Sequence, residues 1–399
     1  MKKTVKDIDI KNKKVIMRVD FNVPLDKETN SKITDTTRVD AAMPTIEYIL
    51  SQGASLILMS HLGRPKGEAN PKYSLKPVYD YLKTKLPNNK VIFANDCIGE
   101  EVKKTAGSLN AGDVLLLENL RYHAEEEKND ANFSKQLADL ADVYVNDAFG
   151  TAHRAHASTA GIVAAKPSMP AVAGFLMEKE IKYLGDAVAE PKRPFVAIIG
   201  GAKVSSKISV LKNLLNKVDT LIVVGGMAYT FFKAKGYEIG TSLCEDDYIQ
   251  TAKEIMDKAK ELNKTLYLPI DNVVADKFDN DANKKIVDCN AIPSGWMGMD
   301  VGDKTLKEIE NILKSAKTIV WNGPLGVFEM SNFAKGTFET AKFIANSGAV
   351  SIIGGGDSVS AVNKSGVADK MTHISTGGGA SLEFLEGIEL PGIKVLQDK

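Results

Sequence analysis

Residues 196–211, VAIIGGAKVSSKISVL, pass from an apolar run through two glycines into a second apolar periodicity that opens with Lys203 and Lys207. A short β-branched run bounded by glycine reads as a buried strand, and the spacing after the glycines reads as a helix. Strand, glycine turn and helix together are the unit of a parallel α/β sheet. The turn brings backbone N–H groups and a helix N-terminus to the strand's carboxyl end, where an anion is attracted. The spacing is neither GxxxxGK[ST] nor GxGxxG, so the two commonest phosphate-binding fingerprints do not describe it. If the helix opens near Lys203, the two lysines share a face about 6 Å apart along its axis, a span that suits a polyphosphate.

The same plan recurs along the chain. Strand-like runs stand at 14–19 (KVIMRV), 55–59, 91–94, 114–118 and 143–145, then at 195–199, 220–224, 266–270, 318–321 and 350–353. Amphipathic stretches such as DDYIQTAKEIMDKAKELN lie between them. Strands alternating with helices predict parallel sheets covered on both faces. Between about 157 and 190 the chain is rich in alanine and proline, then turns helical from about Phe175. That stretch reads as a connection between two α/β domains, an internal loop and helix being the alternative. The expected division is 1–170, a connecting helix over 171–186, and 187–389.

Length and charge narrow the function. A chain of 399 residues suggests two or three domains. Lys+Arg and Asp+Glu both total 51, so the basic excess of a protein that coats nucleic acid or an anionic membrane is missing. Three widely spaced cysteines without a CxxC argue against a disulfide framework or a zinc site. The start, MKKTVKDIDIKNKK, has no apolar core of a signal peptide, and the apolar stretch 160–177 is interrupted by Lys166, Pro167 and Pro170. The expectation is a soluble cytoplasmic protein with neither nucleic-acid nor membrane partners.

Ligands on open parallel sheets sit beyond the carboxyl ends of the strands, and there the two halves differ. The first half runs into RVDFNVP, SHLGRP, ENLRYHAEEE and NDAFGTAHRAHAS, which supply His61, Arg64, Arg121, His123, His153, Arg154 and His156, with Arg38 in the long loop after the first strand. Converging arginine forks match phosphate and carboxylate oxygens, although any one of them alone reads first as a solvated loop charge. The second half runs into GGAK, GGMAYTFF, NGPLGVFE and GGGDS. Four glycine turns in one half point to a nucleotide, where one alone reads equally as a tight turn. Asp357 is the candidate for Mg²⁺, which prefers oxygen and keeps its waters. Glu329 is a candidate for ribose hydroxyls, or a surface residue.

Taken together, RVDFNVP, SHLGRP, ENLRYHAEE, NDAFGTAHRAHAS, GGAKVSSK, WMGMD, WNGPLGVFE, GGGDS and STGGGASLEFLEG resemble the phosphoglycerate kinase family from end to end. The resemblance implies two Rossmann-like domains, the first for 3-phosphoglycerate or 1,3-bisphosphoglycerate and the second for Mg²⁺ with ADP or ATP. It also implies a monomer, and a tail over 390–399 that packs back on the first domain. By the resemblance, Asp20 and Asn22 bind the hydroxyl and carboxyl end of the glycerate. His61, Arg64, Arg121 and Arg154 grip its stationary phosphate, and Arg38 reaches the transferring group. Lys207 meets the nucleotide phosphates and Lys203 the phosphoryl group in flight. Gly225 and Gly226 border the base, while Gly298 and Asn322 lie near the nucleotide and Glu329 holds the ribose. Gly355, Gly356, Asp357 and Ser358 take the phosphates and metal. Gly377, Gly378 and Gly379 offer backbone N–H groups to the migrating phosphoryl.

The implied chemistry needs little from side-chain bases. The nucleophile is a carboxylate with a reference pKa of about 3.5, already ionised at neutral pH. Alignment and charge stabilisation remain to be supplied. Two other readings compete. An NAD-dependent dehydrogenase requires GxGxxG, which does not occur in the chain. An anion-sensing protein would keep the glycines and arginines without needing two sites.

Overall fold

The strand-like runs become two six-stranded parallel sheets in a computed structural model, which describes residues 1–399 apart from the side chains of residues 186 and 187. The first sheet contains β1 (Lys14–Arg18), β2 (Ser55–Met59), β3 (Val91–Phe93), β4 (Val114–Leu116), β5 (Val143–Asn146) and β6 (Ala171–Ala173), in the order β3-β4-β2-β1-β5-β6. Val15, Met17, Leu56, Leu58, Val114 and Leu116 point into one core, while Ile16, Ile57, Leu115 and Tyr144, on the opposite face, are also fully buried. Burial on both faces is why these runs are continuously apolar. The chain builds β2, β3 and β4 on one side of β1 and then crosses to place β5 and β6 on the other, so the sheet has its switch point between β1 and β5.

The second half repeats this with β7 (Phe195–Ile199), β8 (Thr220–Val223) and β9 (Thr265–Tyr267). It adds β10 (Asp271–Ala275), β11 (Lys284–Asp288) and β12 (Met297–Val301), then β13 (Thr318–Asn322), β14 (Val350–Gly354) and β15 (His373–Ile374). The parallel order is β15-β14-β13-β7-β8-β9, which places the switch point between β7 and β13. Strands β11-β10-β12 form a separate antiparallel sheet that the sequence pattern does not anticipate. DNVVA, KKIVD and MGMDV lack a continuous apolar run, and β11 is largely exposed.

The chain divides into two compact units, Met1–Ile181 with Glu389–Lys399, and Lys182–Ile388. Residues 171–173, expected to begin the connecting helix, instead pair with β5 as the edge strand β6. The helical run starts at Phe175 and continues through a π-turn over Ile181–Asp186 to Ala189. Its start is fixed by Asp147, which accepts from Met177 N at 3.0 Å. The last residues lie on the first unit. Asn146 Nδ2 donates to Gly392 O at 3.0 Å, Gln397 N to Ala171 O at 2.9 Å, and Lys3 N to Gln397 O at 2.8 Å. Leu390 and Leu396 are buried there.

Candidate functional site

In the first unit the loops that leave β1, β2 and β4 are tied into one surface. Asp20, just beyond β1, accepts from Arg38 at 2.9 Å. Asn22 Oδ1 accepts from Gly63 N at 2.8 Å, and the Gly63 carbonyl accepts from Arg121 at 3.2 Å. Arg121 is also held 3.5 Å from Glu127. The segment bearing Arg121 is set by Asn119, whose amide donates to Leu62 O while its oxygen accepts from Arg121 N. Arg38, Asn22 and Arg121 are thus each oriented by a neighbouring segment.

His61 is buried, and its Nδ1 lies 3.1 Å from the guanidinium of Arg18. Burial and the positive charges of Arg18, Arg121 and Arg38 push its pKa well below the usual imidazole range, which favours the neutral ring. His156 is pushed down to about 4 by burial, then by Arg121, Arg18 and Arg154. Arg64 and Arg154 are exposed, yet Arg64 acts electrostatically on Arg121 and Arg154 on His156. The arginines expected from the sequence are therefore electrostatic neighbours in one unit. Sequence reasoning missed Arg18, which lies at the end of β1 and is fully buried. The signal available was a charged residue inside an apolar strand.

Asp96, Cys97 and His123 offer three potential metal-ligand atoms within 4.8 Å of one another. Asp96 Oδ1 and His123 Nε2 are only 2.7 Å apart, a hydrogen bond that closes the gap a shared cation would occupy. The pair ties the loop after β3 to the loop after β4.

In the second unit a cavity of about 470 Å³ opens at the β7/β13 switch point. Its walls include Gly200, Gly201, Lys203, Lys207, Asn322, Gly323, Gly355, Gly356, Asp357, Gly378 and Gly379. Gly323 and Gly200 are required by close backbone approach. A Cβ on Gly323, whose φ is +98°, would lie 2.1 Å from Gly200 O, and one on Gly200 would lie 2.1 Å from Pro324 O. The helices Ile208–Leu215 and Gly356–Lys364 begin at this cavity without a side-chain cap, leaving N–H groups for an anion. Lys207 donates to Asn322 Oδ1 at 2.6 Å, and burial lowers its pKa. Asp357 is exposed and is the single carboxylate among the described lining residues. One hard oxygen donor beside anion-seeking backbone fits Mg²⁺, which takes its remaining ligands from phosphate and water.

The helix start differs from the expectation. The helix opens at Ile208 rather than near Lys203, because the intervening residues turn (Lys207 N to Val204 O, Ser206 Oγ to Lys203 O). Serine and valine in succession favour such a turn over a helix. Lys203 and Lys207 thus reach the cavity from a loop and a helix cap, not from one helical face. Ser358 is fully buried and accepts from Gly323 N at 2.6 Å, so its hydroxyl fixes the neighbouring turn. Gly225 and Gly226 are not in the cavity wall; they pack behind it against Gly201 and Ala202. Gly298, in β12, faces Tyr229, whose Oη would be 1.8 Å from an added Cβ. Glu329 is exposed and outside the lining.

Comparison with known proteins agrees along the whole chain. A family model described as phosphoglycerate kinase matches residues 5–388. A curated Clostridium botulinum protein named phosphoglycerate kinase is 59% identical over 400 residues, covering 100% of this chain and 99% of its own. An Arabidopsis thaliana protein named phosphoglycerate kinase 3, cytosolic, is 58% identical over 398 residues, covering 99% of this chain and 98% of its own. The solved structure of phosphoglycerate kinase from Coxiella burnetii superposes with a TM-score of 0.90 at 42% identity, covering 99% of this chain and 98% of that one. That from Pyrococcus horikoshii gives 0.81 at 34%, with 98% of each chain covered.

Proposed function

The chain belongs to the phosphoglycerate kinase family, and from that premise we propose how its two units divide the reaction. The activity is the reversible transfer of a phosphoryl group between 1,3-bisphosphoglycerate and ADP, yielding 3-phosphoglycerate and ATP, a step of glycolysis. The first unit takes the glycerate substrate and the second takes Mg²⁺ with the nucleotide. The observation behind this division is the contrast between them: linked arginines at the strand ends of one, and uncapped helix starts with glycine turns in the other.

Asp20 and Asn22 orient the glycerate, Arg64, Arg121 and Arg154 hold its stationary phosphate, and neutral His61 donates one hydrogen bond to it. Arg38 faces the transferring group. In the second unit Lys207, Asn322 and the turns at Gly355–Gly356 hold the nucleotide phosphates, and Asp357 anchors Mg²⁺, which when bound neutralises phosphate charge. Gly225, Gly226, Gly298 and Glu329 keep their assignment to the base and ribose end, and Ser358 acts through the Gly323 turn. Lys203 with the N–H groups at Gly378 and Gly379 stabilises the phosphoryl group between its two oxygens. The acceptor carboxylate is ionised at neutral pH, so no residue is assigned as a general base.

The reactants belong to different units by this reading, and direct in-line transfer needs a state that brings them together and excludes water. Small-angle scattering should show compaction only when both substrates are added; no change would argue against such closure. The protein works as a cytoplasmic monomer, which sedimentation checks; among the described residues, no helix is long and apolar enough to cross a membrane. Calorimetric titration tests the division itself. Arg121→Ala should weaken 3-phosphoglycerate binding and spare ADP, and Lys207→Ala should do the reverse. Either variant losing both ligands equally while folded would refute it.

A further inference from the structure

Behind the arginines of the first unit lies an acid that no substrate contact requires. Glu126 is fully buried and accepts from Ser158 N at 2.9 Å and from the Ser158 hydroxyl. Ser158 Oγ in turn accepts from Arg18 Nε at 2.9 Å. The rest of the Arg18 guanidinium faces Val19 O and, at 3.1 Å, His61 Nδ1. A guanidinium has donors only, so Ser158 Oγ and His61 Nδ1 must both accept. The serine's single proton is then left for Glu126, and a neutral His61 must carry its proton on Nε2.

We propose that Glu126 is a positioning residue: as the buried counter-ion of Arg18 it acts through Ser158 and Arg18 to hold His61 in the neutral form with Nε2 as its one donor. The consequence for binding rests on the assignment of His61 to the glycerate substrate. A buried guanidinium without an anion is strongly disfavoured, and Glu126 is the carboxylate relayed to it. Burial raises the Glu126 pKa, while Arg18 and the two Ser158 donors oppose that rise. The groups facing His61 are Arg18, Arg121 (beside Glu127), Arg38 (paired with Asp20) and His156, so a proton added to His61 meets mainly positive charge. His156 Nδ1 stands 3.9 Å from Glu126, beyond hydrogen-bond range, and leaves the carboxylate to Ser158. His61 thus offers the substrate a neutral donor whose charge does not change through the neutral pH range.

Two-bond proton–nitrogen spectra of the full chain labelled with ¹⁵N-histidine read this directly, with His61 assigned from the His61→Gln spectrum. The expected pattern is protonated Nε2 and bare Nδ1, constant from about pH 8 to about pH 5.5. An imidazolium or an Nδ1-protonated ring in that range overturns the proposal. Glu126→Gln keeps the shape and removes the charge. It should loosen Arg18 and shift neutral His61 to a mixture of its Nδ1-H and Nε2-H tautomers, and raise the KM for 3-phosphoglycerate about tenfold while sparing the KM for ATP. A wild-type His61 spectrum in that variant refutes the role of Glu126. Should Glu126→Gln fail to fold, Ser158→Ala, which cuts the relay and leaves both charges, must produce the same His61 change. A wild-type KM in His61→Gln would instead defeat the substrate assignment, and the His61 spectrum would still decide this proposal.

Discussion

Lys203 and Lys207 are four residues apart in sequence and in different environments. Lys207 is half-buried and held by Asn322, whereas Lys203 is exposed at the cavity wall. The held lysine suits ground-state binding, and the loose one suits a group that gains its contact only as charge develops. Lys203→Ala should lower kcat by on the order of 10²–10³ while nucleotide Kd stays within about tenfold, readable by steady-state kinetics and titration. A near-normal kcat would remove Lys203 from the mechanism. At this scale the sequence exposed the segments just beyond each strand, because basic and glycine-rich loops stand out there. It hid the charged groups of the interior: Arg18 sits in an apolar strand, and Glu126 is one of three successive glutamates of which only it is fully buried. Whether Ser358 faces a ligand or Gly323 is a matter of packing that the motif GGGDS does not encode.

Among elements, the glycine turns matter through each other. Gly323 and Gly200 approach so closely that neither accepts a side chain. Gly323→Ala should cost about 3 kcal/mol or more in urea unfolding and abolish tight nucleotide binding, since the turn bears both strain and a clash. Full stability in that variant would show that the two turns are not coupled. Most of the ten apolar strands were legible because both faces of a parallel sheet are buried; β3 and β9, at the edges, are only partly so but keep short apolar runs. The short strands β6 and β15, and the antiparallel β10 to β12, were not, being too brief or too polar to show a period. The late start of the helix after Lys207 is likewise a local turn preference that apolar spacing does not report.

For the whole molecule, acid should act oppositely on the two units. In the first, His61 and His156 have depressed pKa values, so below about 6.5 the unfolded chain takes up protons that the folded unit refuses, and stability falls as pH drops towards about 4. In the second, burial raises Asp300 to about 7 from 3.8, so the folded unit holds a proton that the unfolded chain releases. Stability there rises as pH falls through about 7. Asp147, raised to about 6 by burial, partly offsets the histidines within the first unit, so variants are more diagnostic than the wild-type slope. Calorimetry should find the acid loss reduced in His156→Gln and the acid gain missing in Asp300→Asn; parallel slopes in both variants and wild type would refute the account. Leu390→Ala should destabilise the first unit by about 2–5 kcal/mol, although the residue comes after the entire second unit in sequence. The tail also fixes an order of assembly. During synthesis the second lobe is translated before the strap that completes its predecessor, so the earlier lobe cannot finish its packing until residues made after its neighbour arrive.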